Sequence, residues 1–321
     1  FNSFYIDNQN IAEYTSGYLP QRSGKPDPGL LTNGEGKYDW KGLAPDSAHP
    51  QGVNPADGTI VNWNESAARG FAAADDQFGR NGSAMRVDLL TKNMAALQGG
   101  DGKWSLAELT AAMNAGATQD IRAIDTVPLL AQLLQGSNAP NAQAQGMLDQ
   151  MVAWNQAGGS RLDVDLNGEI DHPGAASMDE SWPLIADAFM KPVLKKGKLL
   201  NELDSLFNRF DEPPGGQYSG WYQYFDRDVR ELLDEDVEDP FENEYCGGGK
   251  KKDCQKAVWE AIARAGKSLQ QSQGSPDPAA WHSNANAERI EFTPGLLPTT
   301  MRYANRPSGI QQVISFNGHR P

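Results

Sequence analysis

Gly58-Thr59-Ile60-Val61-Asn62-Trp63-Asn64-Glu65-Ser66-Ala67-Ala68-Arg69-Gly70-Phe71-Ala72-Ala73-Ala74-Asp75-Asp76 is the stretch on which the reading of this chain turns. Its β-branched start, Ile60 to Asn64, predicts a short strand ending in the triplet Asn62-Trp63-Asn64. An Asn side chain can donate through its amide, and a neighbouring Trp can lock it by packing. Taken alone, such a strand end says little about chemistry.

Upstream, Phe4-Tyr5-Ile6 and Ile11-Ala12-Glu13-Tyr14 predict two strands around the polar turn Asp7-Asn8-Gln9-Asn10. Residues 16–60 read as irregular, rich in Pro, Gly and Asp. Downstream, the pattern turns helical from Met85. Ser105-Leu106-Ala107-Glu108 is a capping box, with Leu106, Leu109 and Met113 on one face behind it. Ile121 to Leu134 continue in helical spacing, with a break expected near Pro128. Met147 to Trp154 form another stripe, closed by Gly158-Gly159. Trp182–Leu194, Leu199–Phe210 and Lys256–Leu269 predict further helices, the last with Val258, Trp259 and Ile262 inward. Ile290–Phe292 and Val313–Phe316 predict late strands. Strands flanking a helical middle point to an α+β layered fold. We read 1–84 as a strand and loop region, 85–275 as mainly helical and 276–321 as closing strands, all within one domain.

The 321 residues carry 28 basic and 42 acidic side chains, a net charge of −14 and a pI near 4.7. Such a surface argues against nucleic acid and against anionic membranes, because both select basic proteins. No apolar run approaches the roughly 20 residues that cross a bilayer. The four histidines are scattered without an HExxH pair, which argues against a zinc hydrolase, and no Gly-x-Ser-x-Gly elbow accompanies them. Cys246 and Cys254 enclose Gly247-Gly248-Gly249-Lys250-Lys251-Lys252-Asp253, a loop able to close as a disulfide in an oxidising compartment. The alternative is two free thiols.

Asp163-Val164-Asp165-Leu166-Asn167-Gly168-Glu169-Ile170-Asp171 places oxygen side chains at alternate positions before a glycine, as an EF-hand loop begins. Asp163, Asp165, Asn167 and Asp171 are thus candidate metal ligands. The twelfth position is Gly174 where a bidentate Glu is expected, so a plain polar turn is the other reading.

Several segments in order carry a more specific signal. After Asn62-Trp63-Asn64 come Asp75 and then Phe78-Gly79-Arg80-Asn81-Gly82-Ser83-Ala84-Met85-Arg86-Val87. Before it stand Tyr5-Ile6-Asp7, Pro20-Gln21-Arg22-Ser23-Gly24-Lys25-Pro26-Asp27-Pro28 and Gly36-Lys37-Tyr38-Asp39-Trp40-Lys41-Gly42-Leu43. The end holds Tyr303-Ala304-Asn305-Arg306-Pro307 and Gln311-Gln312-Val313. Together these resemble the penicillin acylase family of N-terminal-nucleophile hydrolases, most closely over about residues 4 to 90.

The resemblance implies a αββα layered sandwich with an inserted helical region, and cleavage of the acyl group from acylated small molecules such as β-lactams, lipopeptides or acyl-homoserine lactones. Family members use a Ser at the N-terminus of the large chain, activated by its own α-amino group, whose pKa of about 7.7–8.0 suits a base at neutral pH. By the same resemblance Asn64 is the oxyanion donor, Arg86 orients the polar network, and Pro28 and Asp75 contribute to a structural calcium site. No organic cofactor is implied. Phe1 is not a Ser, Thr or Cys, so the expectation is a C-terminal portion of the large chain, inactive by itself. The small chain and the N-terminal part of the large chain would complete it. The start shows no charged segment followed by an apolar run, and an exposed first strand with nothing before it leads us to expect a cut piece of a longer protein; the expected location is periplasmic or secreted. The alternative is a non-catalytic, calcium-stabilised binding or scaffold module that kept the fold.

Overall fold

A computed structural model describes residues 2–21, 23, 33–63, 65, 86–98, 103–194, 222–237, 244–285, 289–291, 300–302 and 313–316. The chain divides into two compact units. One comprises Phe1–Asn81, Gln98–Thr110 and Gln312–Pro321, and the other Gly82–Leu97 and Ala111–Gln311.

The first unit holds a three-stranded antiparallel sheet in the order β1 (Asn2–Ile6), β2 (Ile11–Thr15), β3 (Gln51–Val53). The expected hairpin is present, with Phe4 opposite Glu13 and Tyr5 opposite Ala12. Its turn follows from Asp7, whose Oδ1 accepts the backbone N–H groups of Gln9 at 2.7 Å and Asn10 at 2.6 Å. The third strand lies inside the stretch read as irregular; three residues, with Gln51 and Val53 exposed, leave too little alternation to recognise. Asn54 anchors it at φ 49°, its Oδ1 accepting the N–H of Ile11 at 2.9 Å. The strand expected at Ile60–Asn64 does not form over residues 60–63. The N–H of Trp63 donates to the Glu65 carboxylate rather than to a neighbouring strand. Val313–Phe316 likewise takes no strand pairing.

The second unit is helical: α1 (Val87–Leu97), α2 (Leu106–Thr118, whose first turn lies in the first unit), α3 (Val127–Leu134), α4 (Ala142–Gln156), α5 (Pro173–Leu194), α6 (Tyr222–Leu232) and α7 (Lys251–Gln273). It also carries a two-stranded antiparallel ribbon of β4 (Arg289–Glu291) and β5 (Thr300–Arg302). The capping box at the head of α2 is reciprocal. Ser105 N–H donates to Glu108 Oε2 at 2.8 Å, and Glu108 N–H to Ser105 Oγ at 3.2 Å. The buried side of α2 is nevertheless Ala112, Gly116 and Ala117, with Leu106 half exposed. Small residues there let α1 approach closely: a Cβ on Gly116 would stand 3.0 Å from Leu90. The break expected at Pro128 falls earlier, as a π turn over Arg122–Thr126. Pro128 instead occupies the first turn of α3, where no intrahelical N–H is needed.

The helix expected from Trp182 begins at Pro173 and runs through Pro183 and Pro192. Pro183 withholds the N–H that would bond the carbonyl of Asp179. Burial of Trp182, Ile185, Ala186 and Phe189 holds the helix together across that gap. Phe225 from α6 closes this core against Trp182 and Phe189, with ring centroids 5.8 and 4.8 Å apart. In α7, Val258, Trp259 and Ile262 face inward as expected. The expected helix at Leu199–Phe210 lies outside the described residues.

Candidate functional site

Asn64, Pro28 and Asp75 lie outside the described residues; the chain on both sides of Asn64 is described. Trp63 is buried, at 9% exposure. Glu65, half-buried, turns back on the preceding residues. Asn62 Nδ2 donates to its Oε1 at 2.9 Å, and the Trp63 N–H to its Oε2 at 2.5 Å. The same carboxylate lines a recess of about 200 Å³ shared with Asn2, Glu13, Thr15, Val61 and Asn62. Glu65 was not singled out from sequence; an acid two places beyond the buried Trp was the available signal. Arg86, in the second unit, is 4% exposed at the entry to α1, where its carbonyl accepts the N–H of Leu89 at 3.1 Å. Such burial separates it from the loose surface ion pair that is the usual role of an Arg.

The acidic loop brings Asp163, Asp165 and Asp171 together, with carboxylate oxygens within 4.8 Å of one another. Asp163 is fully buried, while Asp165 and Asp171 are exposed. The turn is built by these side chains on their own backbone. Asp163 Oδ2 accepts Gly168 N–H at 3.0 Å, Asp165 Oδ1 accepts Asn167 N–H at 3.2 Å, and Asp171 Oδ1 accepts Val164 N–H at 3.1 Å. Ile170 inserts into the core and its N–H donates to the Ser283 carbonyl at 2.8 Å. Gly174, where an EF-hand places its last ligand, is packed out: a Cβ there would lie 2.4 Å from Trp154 Cβ and 2.5 Å from the Gln150 carbonyl. A hard cation would therefore depend on Asp163, Asp165, Asn167 and Asp171, an all-oxygen donor set suited to calcium.

Beside this loop lies a charge cluster with no sequence signature. Arg122, completely buried, donates to Asp120 at 2.5 Å and to Asp179 at 2.5 Å. Arg161 forks onto both Asp179 oxygens at 2.9 Å and reaches Asp120 at 3.1 Å. Ser283 Oγ donates to Asp179 at 2.6 Å. Burial would raise the Asp179 pKa, but the guanidinium groups of Arg161 and Arg122 and the Ser283 hydroxyl outweigh it and hold the carboxyl well below the usual range. The cluster ties the α2–α3 corner, α5 and the Ser283 segment together, a structural task.

Cys246 and Cys254 are joined as a disulfide. Asp228 of α6 accepts the N–H groups of Cys246 at 3.0 Å and Tyr245 at 3.3 Å.

Helices in one unit and small antiparallel sheets, among the described residues, define an α+β protein, and the comparisons place it. A family model described as Penicillin amidase matches residues 1–317. The chain belongs to the penicillin amidase family. It is 30% identical over 182 residues to the penicillin G acylase of Escherichia coli, covering 56% of this chain and 20% of that protein. Its fold matches the thermostable penicillin G acylase from Alcaligenes faecalis with a TM-score of 0.67 at 22% identity, over 88% of this chain and 48% of that one. That likeness shows the fold of a penicillin G acylase, as the resemblance implied, and the described helices and small sheets are consistent with an α+β class. The chain spans about a fifth of the curated relative and about half of the solved structure.

Proposed function

We propose that this chain forms part of an acylase-type amide hydrolase, acting when assembled with the polypeptides that complete it. The observation that carries the reading is the family match over residues 1–317, running through the Asn62-Trp63-Asn64 segment. A Ser at the N-terminus of another polypeptide attacks the amide carbonyl carbon of a linear acyl amide. Its hydroxyl proton passes to its own α-amino group and then to the leaving amine, and water hydrolyses the acyl-enzyme. Asn64 donates its side-chain amide to the oxyanion of both tetrahedral intermediates, and Arg86 orients the surrounding polar groups. Substrates are acylated small molecules of the β-lactam, lipopeptide or acyl-homoserine lactone kind.

Exposed Phe4, Tyr5 and Ile6 on β1, paired on one side among the described residues, support completion by further polypeptide. The Cys246–Cys254 bond supports an oxidising location, periplasmic or secreted. Among the described residues, no helix is long and apolar enough to cross a membrane. Calcium is assigned to Pro28 and Asp75 as a structural ion. The acidic loop is assigned a second calcium, and calorimetric binding that disappears in Asp165→Ala tests it; no binding heat in the native protein returns the loop to a plain turn.

Removing one preorganised oxyanion donor costs on the order of 10²–10³ in kcat. Asn64→Ala in the assembled enzyme is expected to lose that much with the fold intact. A native protein that cleaves no acyl amide, and carries no Ser, Thr or Cys at the start of any of its chains, favours the scaffold module.

A further inference from the structure

We propose that Asn167-Gly168 is a self-modifying site, at which the folded acidic loop promotes deamidation of Asn167 to aspartate and isoaspartate. The inference stands apart from the roles assigned to Asn64 and to calcium.

Asn167 is exposed and is followed by a glycine, which has no Cβ to shield its backbone nitrogen. The Gly168 nitrogen and Asn167 Cγ are joined through the Asn167 backbone, so their reaction closes a succinimide ring. The loop sets a polar partner on each reacting group. Gly168 N–H, the attacking group, donates at 3.0 Å to Oδ2 of the fully buried Asp163. Asn167 Oδ1, where negative charge develops, accepts the Glu169 N–H at 2.7 Å. Asn167 Nδ2, the leaving nitrogen, donates to Asp165 Oδ2 at 3.1 Å. The carboxamide is thus held at both ends and folded over the Gly168 peptide. The surrounding frame is anchored too: the Gly168 carbonyl accepts Ala285 N–H at 2.9 Å, and Ile170 N–H donates to the Ser283 carbonyl at 2.8 Å. A proton acceptor, an oxyanion donor and a pre-set ring closure are the elements that accelerate attack on an amide.

The step balances without a co-reactant other than water. Asp163 takes the Gly168 proton as the nitrogen bonds to Cγ, and passes it to solvent. The tetrahedral intermediate collapses with loss of Nδ2 as ammonia, its added proton coming from solvent. Water then opens the ring. Attack at Cγ gives aspartate, and attack at the main-chain carbonyl gives isoaspartate. The first product adds a negative charge beside the carboxylates of Asp163, Asp165 and Asp171, which already lie within 4.8 Å of one another. The second lengthens the backbone and shifts Gly168 from its ties to Asp163 and Ala285. Both loosen the loop, so the modified protein is expected to melt at a lower temperature.

The assembled protein is incubated at neutral pH with a chelator, folded and in guanidinium chloride, and followed by peptide mapping and mass spectrometry. The peptide spanning position 167 is expected to gain the mass of an amide-to-acid exchange and to split into aspartate and isoaspartate forms, faster in the folded protein. Conversion as fast or faster in the unfolded chain overturns the proposal, as does an aspartate product without isoaspartate. Asp163→Asn keeps an oxygen for the Gly168 N–H but is a far weaker base, and is expected to slow conversion about 10- to 100-fold. An unchanged rate in that variant also overturns the proposal. Should Asp163→Asn fail to fold, the folded-to-unfolded comparison in the native chain decides.

Discussion

The carboxylate of Asp228 on α6 accepts the backbone N–H of Cys246 at 3.0 Å, so an acid from one helix holds the first residue of the disulfide loop. Burial pushes its pKa up to about 6, against the lowering effect of the Cys246 and Tyr245 bonds and with added repulsion from Glu231 and Glu244. A carboxyl raised in the folded state contributes stability that is complete below its unfolded value of about 3.9 and is lost as pH rises through the folded value. The thermal midpoint is expected to fall between pH 5 and pH 7, and Asp228→Asn to flatten that slope. Parallel curves for the two proteins in thermal unfolding would disprove it.

The disulfide joins residues eight apart on the N-terminal turn of α7 and the 3₁₀ turn ahead of it. Chain entropy assigns a loop this short about 2–3 kcal/mol. Urea unfolding of the Cys246→Ser/Cys254→Ser protein is expected to show that loss, with the helical signal of the folded state retained.

Asp179 is one of two carboxylates facing Arg122 and Arg161. Withdrawing one partner from a buried ionic cluster typically costs about 3–5 kcal/mol. The Asp179 side chain is 31% exposed, so Asp179→Asn is expected to cost less, about 1–3 kcal/mol. Because the folded pKa is depressed, the native contribution is present above about pH 4 and disappears as pH drops toward the folded value. Acid unfolding followed by circular dichroism should therefore be less steep below pH 4 in the variant.

Leu166 sits at φ 67° in the acidic loop with its side chain 67% exposed. A left-handed conformation costs a branched residue about 1–2 kcal/mol, and little is buried in return. Leu166→Asn, which tolerates that conformation, is expected to raise stability by about 0.5–1 kcal/mol. An unchanged or lower melting midpoint would count against the local strain.

Local signals were legible where a few neighbouring residues settle the geometry. The Asp7 turn, the Ser105–Glu108 box, the inward face of α7 and the Cys246–Cys254 pair each depend on side chains within one or two turns of one another. The acidic loop was legible in composition, and the structure brings its carboxylates together as that pattern suggests. Strand assignments at Ile60 and Val313 failed because β-branched residues favour a strand only when a neighbour offers a ladder. The π turn and the long start of α5 at Pro173 were missed for a related reason: tertiary burial outweighs local preference.

By itself the sequence determined the family, through ordered segments from Tyr5 to Val313, and with it the expectation that Asn64 serves an oxyanion. The tertiary structure alone decided that Asp120, Arg122, Arg161 and Asp179 meet in one buried cluster, and that Gly174 must stay a glycine. It also decided that Glu65 folds back on Trp63. Motifs survive in linear order, so a reader of the chain can find them. Buried charge pairing and steric room depend on which distant elements pack together, and no local spacing encodes that.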